Sequence, residues 1–479
     1  MTRRKLIALG SVAGVAGVGA AAFSRRNAVP SPLAGRPQQL ASAGGVLQIE
    51  LVAAEQWVDL AGKQARLYAF NGSVPGPKIE LRSGDEVQVR FINNLPEPSN
   101  LHYHGVHLSP EGQADNVFLQ VPPGEAFDYS FQIPVSHPAG FFWVHPHLHG
   151  LVAKQVSRGL ASPFVIRGDL DNIPEVAAAS EHFMILQDFE LDADGRPVEP
   201  GMTAMMMGRE GSMITVSGKL NPTYQIEQDG MLRLRLLNAS TSRFYRLKLE
   251  DHPLHVIATD GGAIPSPETV EDLVLAPGER RDVLIQGTRQ SGTYRLMNLP
   301  YDRGMERGMM GGMGESADRK PVELATFQYE GRAQHFLRLP QKLIDVPVLP
   351  ASTGSRTFEL GEAMGMMRGN GMGMRFLING REFDHERIDT RVRLGSVEEW
   401  EYINTTTMDH PMHIHTNSFQ LIGPDGQPER AWRDIIVVKA RSRARLRIKF
   451  EEFTGKTAQH CHILDHEDRG MMSTILMES

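Results

Sequence analysis

The chain has 479 residues, 41% hydrophobic and 22% charged, the balance of an ordinary soluble globular protein of roughly two to four domains. Its 57 acidic residues outnumber its 50 basic ones, and a net charge of −7 excludes the broad basic surface of a nucleic-acid binder. A single cysteine, Cys461, excludes an internal disulfide.

Residues 1–28 read as an export signal. Arg3 and Arg4 precede an uncharged stretch from Leu6 to Phe23, with small residues around Ala20 to Ala22. The arginine pair resembles a twin-arginine (Tat) signal, which implies folded export to the periplasm or the extracellular space. An uncleaved membrane anchor is the alternative, since the stretch is about long enough to span a bilayer. Its many glycines and alanines make it only weakly hydrophobic. No other segment approaches the length of a transmembrane helix, so no stable span is expected once the signal is cleaved.

Three later stretches share a pattern: "FNGSVPGPKIELRSGDEVQVRFINNL" from Phe70, "VSGKLNPTYQIEQDGMLRLRLLNAS" from Val216, and "INGREFDHERIDTRVRLGSVEEWEYINTT" from Ile378. Each opens on a turn glycine (Gly72, Gly218, Gly380), extends, turns at glycine, alternates as a strand and closes on asparagine. The glycines lie a domain length apart, too far for a solenoid repeat. "AFDYSFQI", "HFMILQDFEL", "RRDVLIQG" and "ARLRIKFEEF" alternate similarly, and strong amphipathic helical runs are scarce. The expected fold is all-β: three consecutive sandwich domains over 45–170, 178–335 and 350–479. Residues 331–355, with Pro340, Pro347 and Pro350, read as a surface linker between the second and third.

Eleven of the 18 histidines fall in four motifs: "HYHG" at 102–105, "HPHLHG" at 145–150, "HPMHIH" at 410–415 and "HCHILDH" at 460–466. Two motifs lie in the first domain and two in the third. The middle domain has only scattered histidines such as His182, His252 and His255. An H-x-H step on a strand sends both imidazoles to one face, where their neutral nitrogens can grip a transition metal. A single such pair is commonly coincidence; four, split evenly between the outer domains, are not. In "HCH", His460 and His462 share one strand face while Cys461 points to the other. His410 and His466 can join the thiolate, with Met471 placed for a long axial bond. Two His, one Cys and a weak Met form a blue-copper ligand set. The remaining pairs suffice for a cluster of several metals between domains one and three.

These motifs resemble those of the multicopper oxidases, specifically three-domain bacterial laccases and cuprous oxidases, over nearly the whole mature chain. The resemblance implies three cupredoxin domains of Greek-key topology and about four coppers: one type 1, one type 2 and two type 3, reducing O2 to water. Carried over by motif, Cys461, His410, His466 and Met471 are the type 1 ligands, and His102 and His413 the type 2 pair. His104, His145, His147, His415, His460 and His462 are then the type 3 ligands. His149 is expected to hydrogen-bond outside the ligand set, and His107 to be structural. Asp115 in "GQADNVF" and Glu467, directly after His466, match the family's acidic residues near the cluster. Such carboxylates relay protons when their pKa is tuned to the working pH; the bland reading of each is a turn residue.

Fourteen of the 23 methionines sit in three windows: "MTAMMMGREGSM" (202–213), "MERGMMGGMG" (305–314) and "MGMMRGNGMGM" (364–374). The windows are poor in other apolar residues and do not read as core. Thioethers are soft ligands that select Cu(I); gap-filling or oxidation buffering is the alternative. The leading expectation is an exported oxidase taking electrons from Cu(I), with phenols or other metal ions as further donors and a role in copper tolerance. The alternatives are a laccase for organic phenols and a copper-sequestering protein without turnover.

Overall fold

The alternating strands take the burial their sequence dictates. In Glu86–Asn94, Val87, Val89 and Phe91 are buried, while Gln88 and Arg90 occupy the opposite, wetter face. Each fully buried side chain of this kind contributes about 1.5–3 kcal/mol relative to exposure. The computed structural model describes residues 39–304, 320–367 and 371–479. The expected export signal and the second methionine window lie outside them.

The three repeats fold alike. Their alternating strands are Glu86–Asn94, Met231–Asn238 and Val397–Asn404. Each lies between a parallel partner earlier in the chain (Val46–Leu60, Ser180–Phe189, Gly354–Met367) and an antiparallel partner later (Ala126–Gln132, Arg280–Gln286, Arg443–Lys449). The opening turns Asn71-Gly72, Ser217-Gly218 and Asn379-Gly380 all have positive φ at both positions, the two-residue hairpin geometry that favours glycine second.

The closing asparagines are buried staples. Asn93, Asn238 and Asn404 each donate Nδ2–H groups to distant carbonyls: Val121, Leu275 and Val438 respectively. Each also accepts the N–H two residues on, from Leu95, Ser240 and Thr406. One side chain thus satisfies the backbone where a strand leaves its sheet, which burial requires.

Residues 39–167 form a five- and a four-stranded sheet, residues 180–332 a six- and a five-stranded one, and residues 354–478 two of five. Each third has its own apolar core. A further cluster joins all three, combining Phe141, Trp143 and Val152 with Ile185 and Leu237 and with Leu464. The described residues belong to one compact unit, and none of their helices exceeds six residues. The expected all-β class is the one observed.

The connection between the second and third repeats runs largely exposed along the surface and is pinned at a few buried points. Strand pairing continues to Arg332 and resumes at Gly354. Between them Leu343, Val346 and Leu349 are buried, and Gln420 clamps the Pro347 carbonyl and the Leu349 N–H. Apolar residues every third position hold the segment against the body of the protein.

Candidate metal centres

Strand pairing places the histidine motifs. His102–His104 runs antiparallel to Gly140–His145, with His102 opposite His145 and His104 opposite Trp143. In the last third His410–Ile414 runs antiparallel to Gly455–Cys461, with His413 opposite His460 and Met412 opposite Cys461. The pleat sends the paired imidazoles to one side, and the two strand pairs meet face to face. His102 stacks on His415 at 4.1 Å between ring centres, and His104 on His413 at 3.8 Å.

The inward nitrogens converge. His460 Nε2 lies 3.0 Å from both His147 Nε2 and His415 Nε2, and His145 Nε2 lies 3.4 Å from His104 Nδ1. Outward nitrogens donate to fixed acceptors: His145 Nδ1–H to the Pro146 carbonyl, His413 Nδ1–H to the Asp434 carbonyl, and His102 Nδ1–H to the Asp115 carboxylate at 3.0 Å. A proton held on the outer nitrogen leaves the inner lone pair free for a metal. His102 Nε2, His413 Nε2 and His462 Nε2 are buried with no hydrogen-bond partner. Such orphans cost about 1–3 kcal/mol each unless something binds them. Copper suits this donor set: imidazole nitrogens, dry and convergent.

Charge follows burial. Desolvation, reinforced by neighbouring imidazoles, holds His102, His147, His415 and His462 far below the usual histidine range. Burial likewise lowers His145 to about 3. These rings are neutral at pH 7, the state a ligand needs.

The second centre is built around the thiol. Cys461 Sγ lies 3.5 Å from His410 Nδ1 and 3.8 Å from His466 Nδ1, and accepts the Ile463 N–H. Met471 is buried in the same apolar cluster, and its carbonyl accepts the Cys461 N–H at 2.9 Å. The outer nitrogens are held here too, His410 Nε2 by Thr406 Oγ1 at 2.8 Å and His466 Nε2 by the Met206 carbonyl at 3.1 Å. Burial pushes the Cys461 thiol far above its ordinary pKa. The thiolate therefore forms only with a metal to compensate it. Cys461 faces this centre while His460 and His462 face the other, as expected from the pleat.

The two carboxylates also reach the histidines. Asp115 accepts the Tyr103 N–H besides bonding His102, and burial pushes it up to about 7. Glu467 is wholly buried, with Oε2 3.0 Å from His460 Nδ1 and Oε1 3.5 Å from His147 Nε2. His107 donates to the Thr416 carbonyl and so bridges the first and last thirds. His149 packs on the Phe383 ring at 4.6 Å.

The motifs left out a buttress. Asp434 Oδ1 accepts from His104 Nε2 at 3.1 Å, which puts the free lone pair of that ring on Nδ1. Its carboxylate is held by Arg280 through Nη1 at 2.8 Å and through Nη2. Arg280 also donates to the carbonyls of Phe141, Asp260 and Gly278. One guanidinium from the histidine-poor middle third thus ties all three thirds behind the cluster. A Cβ on Gly105 of "HYHG" would collide with this ion pair, and one on Gly278 would lie 2.9 Å from His462 Nε2. The available signals were "PGERR" and "WRD", neither of which carries a metal-binding spacing.

Comparison with known proteins agrees with this geometry. Residues 52–171, 181–332 and 357–479 each match a sequence family described as multicopper oxidase. The solved structure of a Campylobacter jejuni multicopper oxidase, described as a metallo-oxidase, is 30% identical, with a TM-score of 0.79 over 92% of this chain and 96% of that one. Multicopper oxidase mco of Staphylococcus haemolyticus is 28% identical over 417 residues, 85% of this chain and 83% of the relative. Cell division protein FtsP of Escherichia coli is 29% identical over 460 residues, 91% of this chain and 90% of the relative. With three matching segments, a cupredoxin-like all-β fold and histidine clusters that suit copper, the chain belongs to the multicopper oxidase family.

Proposed function

We propose that this protein is an exported oxidase that oxidises Cu(I) one electron at a time and reduces O2 to water in four-electron turnovers, serving copper tolerance. Three cupredoxin-like domains, 45–170, 178–335 and 350–479, carry it. Cys461, His410, His466 and Met471 hold the type 1 copper, and His102 and His413 the type 2 copper. His104, His145, His147, His415, His460 and His462 hold the type 3 pair. Copper supplies the one-electron redox chemistry at both centres.

The chain's own residues supply the rest. The Cys461 backbone joins the two centres, with its sulfur in one and both neighbouring imidazoles in the other. Asp115 and Glu467 stand beside the histidines as the carboxylates that relay protons to the water formed. Residues 1–28, with Arg3 and Arg4, direct export to the periplasm or beyond. Among the described residues no helix is long and apolar enough to cross a membrane.

The observation that carries the choice of donor is the covering of His466. The helix Met202–Met207 closes the Nε2 edge of that ring, where the Met206 carbonyl bonds it, Phe376 stacks on its face at 3.8 Å, and Arg469 donates to Met205 Sδ at 2.8 Å. His466 has no exposed surface, so a bulky phenol has no imidazole edge to touch, while thioethers on the lid can pass a soft cation. The third window faces the same region: Met364 pairs with Met374 in a hairpin, and Met374 packs on the Cys461 core.

The test compares steady-state oxygen consumption on Cu(I) and on a phenol, with Met205 and Met206 replaced by leucine. Loss confined to Cu(I) is expected; equal loss on both donors overturns the reading. Cys461→Ser should fold but lose the intense thiolate absorption and all turnover. Oxygen consumption persisting in that variant would remove the type 1 assignment.

A further inference from the structure

Arg303 is a buried cation beside the Cys461 centre that no ligand motif includes. The helix Met202–Met207 ends against Ile463 and Ser242, where Gly208 leaves no room for a Cβ. Its last carbonyls need donors from outside the helix. Two are supplied: His466 Nε2–H reaches the Met206 carbonyl, and Arg303 Nη2 reaches the Met207 carbonyl at 2.5 Å. The same guanidinium donates to the Ser242 carbonyl at 3.1 Å and lies 3.5 Å from Glu210.

The backbone of Arg303 is tied equally closely to the other side of the centre. Its carbonyl accepts the N–H of Asp409, the residue before His410. Gly304 follows at a φ of +90°, packed so closely on Ala440 and the Thr407 carbonyl that a side chain has no space. One residue therefore knots the methionine lid to the strand that carries a candidate copper ligand. The guanidinium is also close to the centre itself: the Met207 carbonyl it holds adjoins the Met206 carbonyl that holds His466 Nε2, and a fixed positive charge so near disfavours further positive charge there.

We propose that Arg303 is the specificity-determining residue of the donor side: its fork holds the methionine lid closed over His466, and its charge raises the reduction potential of the Cys461 centre. The two effects separate by substitution. Lysine keeps the charge but loses the planar fork, and methionine loses both. The specificity half rests on the Cu(I) reading above; the potential and the lid do not.

The experiment uses the copper-loaded full chain, with Arg303→Lys and Arg303→Met beside the wild type. Redox titration of the thiolate band should give a lower potential for Arg303→Met and a nearly unchanged one for Arg303→Lys, since a lost positive charge favours the oxidised state. Hydrogen exchange at residues 205–208 should quicken at least tenfold in both variants. The ratio of phenol to Cu(I) kcat/KM should rise at least tenfold in both. Wild-type potential and wild-type exchange in Arg303→Met overturn the proposal. A wild type that fails to oxidise Cu(I), with the first two results as expected, sinks the donor assignment and leaves Arg303 as the lid clamp. A misfolded Arg303→Met is recognised by lost copper, and Arg303→Lys then decides: a wild-type exchange rate in it overturns the proposal.

Discussion

Asp434→Asn isolates the buttress behind the cluster. Arg280 and Asp434 are 1% and 2% exposed, so the asparagine leaves the buried guanidinium without its paired carboxylate, with only the neighbouring Asp260 to offset its charge. Of the three charge-assisted contacts made by the carboxylate, two to Arg280 and one from His104, the amide oxygen can keep only part, and its NH2 faces another donor. Breaking one side of a buried pair costs about 3–5 kcal/mol, whereas replacing both partners by apolar residues costs far less. Urea unfolding of the copper-free protein, read by tryptophan fluorescence, should show a loss of that size for Asp434→Asn. The pair Arg280→Met with Asp434→Leu should recover only part of it, because the carbonyls of Phe141, Asp260 and Gly278 lose their donor. The coupling energy from the cycle of Arg280→Met, Asp434→Leu and their pair should exceed about 1 kcal/mol. There is a second consequence. An amide donor facing His104 Nε2 moves the ring proton to Nδ1, the inward nitrogen, so the variant should bind fewer coppers than wild type. A loss under about 1 kcal/mol without coupling, together with full copper content, would refute the reasoning.

Two further predictions concern neighbouring features. Gly278 has a φ of +81° in the turn Ala276–Glu279, and an added Cβ would lie 2.7 Å from Ile435 and 2.9 Å from His462. Gly278→Ala should destabilise the protein by about 1–2 kcal/mol from backbone conformation alone and displace His462, seen as lowered copper content in a folded protein. At the other end of the middle third, burial pushes Glu181 up, but its hydrogen bond to Arg167 and the charges of Arg235, Arg167 and Arg233 together hold it at about 2. A depressed carboxyl stabilises the fold above its unfolded pKa near 4.5 and loses that stability as pH falls toward 2. Between pH 5 and 2 the copper-free wild type should lose on the order of 2–3 kcal/mol more than Glu181→Gln. Parallel curves for the two proteins would show that the network contributes nothing.

Much of this was readable before any coordinates. The H-x-H spacing places imidazoles because a strand pleat has one period, and the same rule parted Cys461 from its neighbours. The closing asparagines were visible as a repeated letter, although their role as double staples for departing strands was not. Sequence reading failed where function depends on pairs remote in the chain. Arg280 and Asp434 lie 154 residues apart, and each looks like a surface charge in its own segment. The same holds for Arg303, whose value lies in two carbonyls that no local pattern connects to it. Local periodicity reports which face a side chain takes; it is silent on which distant backbone that face will meet.

All ten histidines of the two centres are at most 1% exposed. An ion bound for the histidine cluster must pass buried side chains, so filling of the cluster is expected to wait on local opening of the seam between the first and last thirds. Uptake by purified, copper-free protein should therefore level off as copper concentration rises, its ceiling set by the protein's own breathing rate and climbing steeply with temperature.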